Sequence, residues 1–154
     1  MTRIHLCITL TLLLLSTGFL SIASQKTPPS RRSLVGVLKD QNQIGCGCYL
    51  SFVSDRSERC VFMSDPEDNA RMNIDGSDVR LNLVKRVAPA NEKVGRHSTE
   101  IYQAPGIKVT ARYVTTAMCE PNEPGCESTS YDATFTVVKG SRQQTVKLEG
   151  ACGC

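Results

Sequence analysis

The residues in this chain with the most chemistry available to them are its cysteines. Four stand in two matching motifs, Cys46-Gly47-Cys48 and Cys152-Gly153-Cys154, which bracket the region that reads as folded. In an extended strand residues i and i+2 project to one face, so each motif presents two sulfurs side by side. Three chemistries fit that arrangement. Set antiparallel, with Cys46 opposite Cys154 and Cys48 opposite Cys152, the strands form two parallel disulfides. As thiolates, the same four sulfurs enclose Zn²⁺ tetrahedrally or hold Cu(I), which favours soft sulfur ligands. As a short reducible bridge within one motif, they exchange thiols as an oxidoreductase does. Structural bridges are the leading expectation. Zinc ribbons and fingers use Cys-x₂-Cys or wider spacing, no thioredoxin-like βαβ pattern surrounds either motif, and an exported chain spends its thiols on disulfides.

Cys119 and Cys126 enclose Glu120-Pro121-Asn122-Glu123-Pro124-Gly125 between two strand patterns, which predicts a bridged hairpin loop. Closing so short a loop contributes about 2 to 3 kcal/mol, and the prolines restrict it further. Glu120, Glu123 and Glu127 make its tip acidic. A pre-ordered, charged projection loses little entropy on docking, so this is the candidate binding loop for a basic protein partner. Cys7 falls in the leading apolar segment, and without it seven cysteines remain, an odd number. Cys60 is the candidate for the odd thiol, beside Arg59 and near Arg56, whose charges favour a thiolate. The commoner fate of such a residue is burial as a small apolar side chain, and a bridge between two chains, giving a covalent dimer, ranks between the two.

Recognisable catalytic signatures are missing. The one histidine outside the leading segment, His97, sits in Gly95-Arg96-His97-Ser98-Thr99, which reads as a surface loop. The chain contains no Gly-x-Ser-x-Gly elbow, no His-Glu-x-x-His motif and no Gly-rich phosphate loop. Asp65-Pro66-Glu67-Asp68-Asn69 could offer oxygens to Ca²⁺, but Ala70 stands where an EF-hand needs Gly and Gly76 where it needs its bidentate Glu. It reads as a solvated turn, and no cofactor is expected.

Elements to position these residues follow from the hydrophobic pattern. Residues 1–23 read as a cleaved export signal, with Arg3, the apolar run from Ile8 to Leu15, and small residues at Ser21 and Ala23. The run is shorter than the roughly 20 residues a membrane span needs, so no stable anchor is expected after cleavage. Residues 24–43, opening with Pro28-Pro29 and Arg31-Arg32, are expected to form a flexible leader. From 44 to 154 the dominant period is two, as in Val79, Leu81 and Leu83, in Val109, Ala111 and Tyr113, and in Ala133, Phe135 and Val137. Only Val84 falls awkwardly in that alternation. Turn residues intervene at Asp75-Gly76, Pro105-Gly106 and Gly140-Ser141. The expectation is one all-β domain, a small antiparallel barrel or sandwich of about eight short strands stapled by disulfides, with a barrel preferred because pairing the first and last strands abolishes both edges.

A formal charge of +3, no Trp and 5% aromatic residues give no footing for nucleic acid. In architecture the pattern resembles the bacterial inhibitors of animal-type lysozyme, small barrels that insert a loop into the enzyme's cleft. Gly95 to Tyr102 is the segment nearest to that loop and lacks its repeated small residues, so no residue role is carried over. Taken together, the expected function is that of a secreted or periplasmic binding or structural domain rather than an enzyme. Alternatives are a Cys₄ zinc or copper protein and a secreted thiol-disulfide oxidoreductase. Intact mass of the exported protein should correspond to a chain starting at Ser24; a mass retaining residues 1–23 would replace the cleaved signal with an anchor.

Overall fold

The alternation of apolar and polar residues is realised as nine strands in the structure, a computed structural model that describes residues 32–42, 45–55, 57, 59–119 and 125–154. In chain order these are β1 (Val35–Gly36), β2 (Gly47–Phe52), β3 (Cys60–Ser64), β4 (Asn69–Ile74), β5 (Ser77–Val87), β6 (His97–Ala104), β7 (Ile107–Met118), β8 (Ser128–Lys139) and β9 (Arg142–Gly153). From β2 to β9 each strand pairs antiparallel with the next, and β9 returns to pair with β2. The result is a closed, eight-stranded, up-and-down barrel with β1 added beside β4. Four strands are longer than the short strands expected: β5 has 11 residues, and β7, β8 and β9 have 12 each. His97 opens β6 rather than lying in a loop, although its side chain is exposed.

Period-two side chains fill the interior. Leu50, Phe62, Met72, Leu81, Tyr102, Val109, Phe135 and Leu148 are fully buried, while Lys108, Arg112 and Lys147 face outward from the same strands. Although aromatic residues are few, five of those in the barrel meet edge to face: Phe62 against Tyr102 and Phe135, and Tyr113 against Phe135 and Tyr131. Such pairs add about 0.5 to 1.5 kcal/mol each beyond the area they bury.

The two ends of the barrel differ. At one end lie the tight turns at 75–76, 105–106 and 140–141 and residues 53–55, 57 and 59 between β2 and β3. Here the expected leader needs correcting: although residues 24–43 read as flexible, Leu34, Val35 and Leu38 are buried at 3, 2 and 3% exposure. Leu34 and Val35 join the main core and plug this end, which is where the apolar run from Leu34 to Leu38 finds its burial. The plug is also tied by hydrogen bonds. The Asp75 N–H donates to the Leu34 carbonyl at 2.7 Å, and the Gln144 side-chain oxygen accepts from the Leu34 and Val35 N–H groups at 2.6 and 3.1 Å. Onward from Leu38 the chain straps the outer side of β3, covering a small second cluster of Leu38, Cys60 and Met63 with Tyr49 against it. The Gln41 amide serves as a surrogate strand there, accepting from the Cys60 N–H at 2.8 Å and donating to the Cys60 carbonyl at 3.2 Å. The expected export signal, and the leader up to residue 31, lie outside the described residues.

At the opposite end are the loops at 65–68 and 88–96, Cys119 and residues 125–127 of the connection from β7 to β8, and the two Cys-Gly-Cys motifs. The register of β2 and β9 sets Gly47 opposite Gly153 and Cys48 opposite Cys152. Disulfides join Cys46 to Cys154 and Cys48 to Cys152, across Cα separations of 4.2 and 3.9 Å. A third joins Cys119 to Cys126. The glycines are required by close approach of neighbouring backbone. A Cβ on Gly47 would lie 2.0 Å from the Ser64 carbonyl oxygen, and one on Gly153 would lie 2.2 Å from that of Glu127.

Two expectations follow. Gly47→Ala should destabilise the domain by more than about 2 kcal/mol in a urea titration, because backbone must move to admit the methyl and φ is +156° there; a neutral result would refute the close approach. Asp75 accepts from Arg142 at 2.8 Å and Lys139 at 3.0 Å, and those bonds lower its carboxyl from the ordinary 3.8 to about 2. A carboxyl lowered on folding contributes stability above pH 3.8 that is lost as pH falls towards 2. Asp75→Asn should therefore be less stable at neutral pH and show a shallower loss of stability across that window.

Candidate functional site

The open end of the barrel carries a polar pocket whose position follows from an irregularity in β5. Leu83 pairs with Tyr102, but Lys85, not Val84, pairs with Ile101, so Val84 is an extra residue in a β-bulge. Before the bulge, Val79, Leu81 and Leu83 face inward; after it the phase shifts by one, and Arg86, opposite Glu100, takes the inward position. Bulges commonly re-aim a side chain in this way beside functional sites. This accounts for Val84, which is left 53% exposed on the outside.

Arg86 is held on two sides. Its Nε donates to Glu100 Oε1 at 2.6 Å and its Nη2 to Asp68 Oδ1 at 2.7 Å. Burial works against the guanidinium charge, but the bonds to Glu100 and Asp68 outweigh it and fix Arg86 as a cation. The other oxygen of Glu100 accepts from the Tyr102 hydroxyl at 2.6 Å. Burial, then the Glu100 charge, push the Tyr102 phenol up, so it stays a donor. Across the mouth Glu92, from the 88–96 loop, accepts a short hydrogen bond from Tyr131 and another from the Thr115 hydroxyl at 3.3 Å. Burial and Glu92 raise the Tyr131 phenol in turn.

Tyr113 completes the wall. Only 4% exposed, it stacks edge to face on Tyr131 and Phe135. Its hydroxyl is fully buried and meets no hydrogen-bonding partner among the described residues. Burial first, then the proximity of Tyr102 and Glu100, push this phenol well up. The pocket bounded by Tyr113, Tyr131, Glu92, Glu100 and Arg86 has a volume of about 210 Å³, with the Cys48–Cys152 disulfide as a side wall. A shallower depression of about 310 Å³ lies beyond the Arg86–Glu100 pair, lined by both Cys-Gly-Cys motifs, Asp65 and Asp68.

Of the residues singled out by sequence, Cys46, Cys48, Cys152 and Cys154 come together at this mouth as two disulfides. Cys119 and Cys126 form the third at the same end. Glu127 is exposed beside it, whereas Glu120 and Glu123 lie outside the described residues. Cys60 is elsewhere, 4% exposed beneath the strap, with the Arg59 guanidinium engaged by Asp55 at 3.3 Å and by the Ser57 hydroxyl at 2.8 Å. Arg56 lies outside the described residues. The Asp65 carboxylate caps its own turn, accepting from the Glu67 and Asn69 N–H groups at 2.9 and 3.0 Å.

No sequence motif marks Arg86, Glu92, Glu100, Tyr102 or Tyr131 as site residues, and the alternation marks Tyr113 only as an inward position. Two signals were present: Val84 breaking the alternation, and Glu100 standing in phase with buried Tyr102, an acidic residue at a core position. Against known proteins, the chain matches no family model, no curated protein and no solved structure.

Removing the two buried phenol oxygens should have opposite effects. Tyr102→Phe deletes a hydrogen bond to a carboxylate and should lose about 1.5 to 3 kcal/mol in urea denaturation, whereas Tyr113→Phe removes a buried hydroxyl that meets no partner and should gain about 1 kcal/mol. A loss at Tyr113 comparable to that at Tyr102 would show that its hydroxyl is satisfied.

Proposed function

We propose that this chain is an exported binding module that docks a basic protein partner with the disulfide-bearing end of its barrel. Three intramolecular disulfides are the pattern of an oxidising compartment, consistent with secretion or a periplasmic location. The observation that carries the reading is the asymmetry of the two ends. One is sealed by Leu34 and Val35, and the other gathers the longer loops, the cross-links and the open pocket. Cross-links at a loop-bearing end hold the docking surface in shape before contact, which lowers the entropy lost on association.

Charge supports a basic partner. Although the chain as a whole is at +3, the open end is acidic, with Asp65, Glu67, Asp68, Glu92, Glu100 and Glu127 against Arg86, Lys93 and Arg96. Apolar contact is offered on the same rim by Val87, Val94 and Met118, which are 55, 63 and 38% exposed. A polar rim with apolar anchors is the usual composition of a non-obligate interface.

The test is in situ cross-linking of the exported, disulfide-intact protein, followed by the same experiment with variants at two places. Charge reversal of Glu120, Glu123 and Glu127 to Lys should abolish the cross-linked partner, while Lys108→Glu with Lys147→Glu on the outer barrel wall should not. Retention of the partner after the loop reversal, or no partner at all, would overturn the reading. So would a protein that arrives with the four Cys-Gly-Cys thiols protected from alkylation and about one bound metal.

A further inference from the structure

We infer that the 210 Å³ pocket in the barrel mouth receives the ammonium of a single lysine side chain projected by the partner. This rests on the binding reading above and specifies what its open end recognises. Size comes first. Pockets that hold a whole small-molecule ligand measure about 300 to 1,000 Å³, and this one is smaller, with the Arg86–Glu100 pair separating it from the depression beyond. One side chain is what it admits.

Chemistry then selects the side chain. The polar groups of the mouth are rich in acceptors and poor in donors. Glu92 and Glu100 line the pocket with a single guanidinium, and Arg86 already spends donors on Glu100 at 2.6 Å and on Asp68, in the depression beyond, at 2.7 Å. A carboxylate has about four lone-pair sites, so Glu92 and Glu100 keep unused acceptor capacity after their bonds to Tyr131, Thr115, Tyr102 and Arg86. An incoming anion would meet those oxygens, whereas an ammonium brings three donors to them. The Tyr113 residue is the independent observation: it lines this pocket, and its buried hydroxyl has no partner among the described residues, so the wall holds a polar group that the fold itself does not satisfy. The walls suit the stem as well. Tyr113 and Tyr131 present aromatic surface, to which a cation is drawn and against which a four-carbon chain packs, and Ala88 and Pro89 supply apolar surface opposite. Glu67 and Glu127, exposed at the same end of the barrel, would steer a basic surface towards this mouth.

The experiment is a titration of the ¹⁵N-labelled, disulfide-intact protein with N-acetyl-lysine amide, read from the Cys48 and Cys152 amides and the Tyr113 and Tyr131 rings. Two control probes accompany it: N-acetyl-norleucine amide, with a similar apolar stem and no charge, and N-acetyl-glutamate amide. The lysine probe should give saturable shifts at those positions, with norleucine at least about tenfold weaker and glutamate silent. Glu92→Gln, which keeps a side-chain oxygen to accept from Tyr131 and Thr115, should weaken the lysine probe severalfold, and Glu92→Gln with Glu100→Gln should abolish it. Should the double variant fail to fold, Glu92→Gln alone decides. Equal shifts from norleucine, preference for glutamate, or an unaltered lysine titration in Glu92→Gln would overturn the inference. Its failure is separable from that of the binding reading. A partner lost on reversing the loop charges, with no lysine binding in the mouth, leaves the binding reading standing and removes this one. Lysine binding without any cross-linked partner does the reverse.

Discussion

Closure of the barrel rests on one strand pair. Seven of the eight barrel interfaces join strands that are neighbours in sequence, and only β2 with β9 brings together distant parts of the chain. Without that pair two unpaired edges would be exposed and the interior would open along its whole length. The two disulfides are placed directly on this seam, at sequence separations of 108 and 104 residues. In the chain-entropy model the first such bridge stabilises by about 4 to 5 kcal/mol, and a parallel second one adds far less. The second bridge has another effect. It fixes the register, since a one-residue slip would turn both sulfurs of a motif to the opposite face.

With the seam fixed, the interior is graded from dry to wet. Apolar side chains from β1 and the strand ends fill the plugged end, and phenylalanines occupy the middle. Tyrosines follow towards the mouth, where Arg86, Glu100, Glu92 and Asp68 meet solvent. Tyrosine suits the boundary because its ring packs like phenylalanine while its hydroxyl reaches a polar partner. Tyr102 and Tyr131 use that hydroxyl on Glu100 and Glu92. Tyr113 meets no such partner among the described residues, which marks where the gradient is incomplete.

The strand content, the closure and the pairing of the Cys-Gly-Cys motifs were legible in the sequence because each depends on period-two patterning that local residues dictate. What escaped depends on departures from it. Val84 looked like noise in a regular strand, yet it is the inserted residue that sends Arg86 inward. Leu34 to Leu38 lay behind a proline- and arginine-rich leader and gave too short an apolar run to stand out, although tertiary contact with β4 and Gln144 makes it part of the core. Glycines at 47 and 153 are needed because of a backbone approach that no local rule reports. The pocket was hidden for a related cause. Its walls come from β5 to β8, the 88–96 loop and the Cys48–Cys152 bridge, which only the closed barrel brings together.

The order of the strands has a consequence for how the chain matures. Seven hairpin-like pairings can assemble from neighbouring segments, each closing a short loop, whereas the seam must wait until its two strands have been carried around the full circumference. Before that moment Cys46 and Cys48 have each other as nearest thiols, and the native partners come within reach only once the circuit is complete. Oxidation of the outer pairs therefore records that folding has finished. A chain stalled short of closure still carries open strand edges and reduced thiols, two features by which an oxidising compartment can distinguish the unfinished product from the finished one.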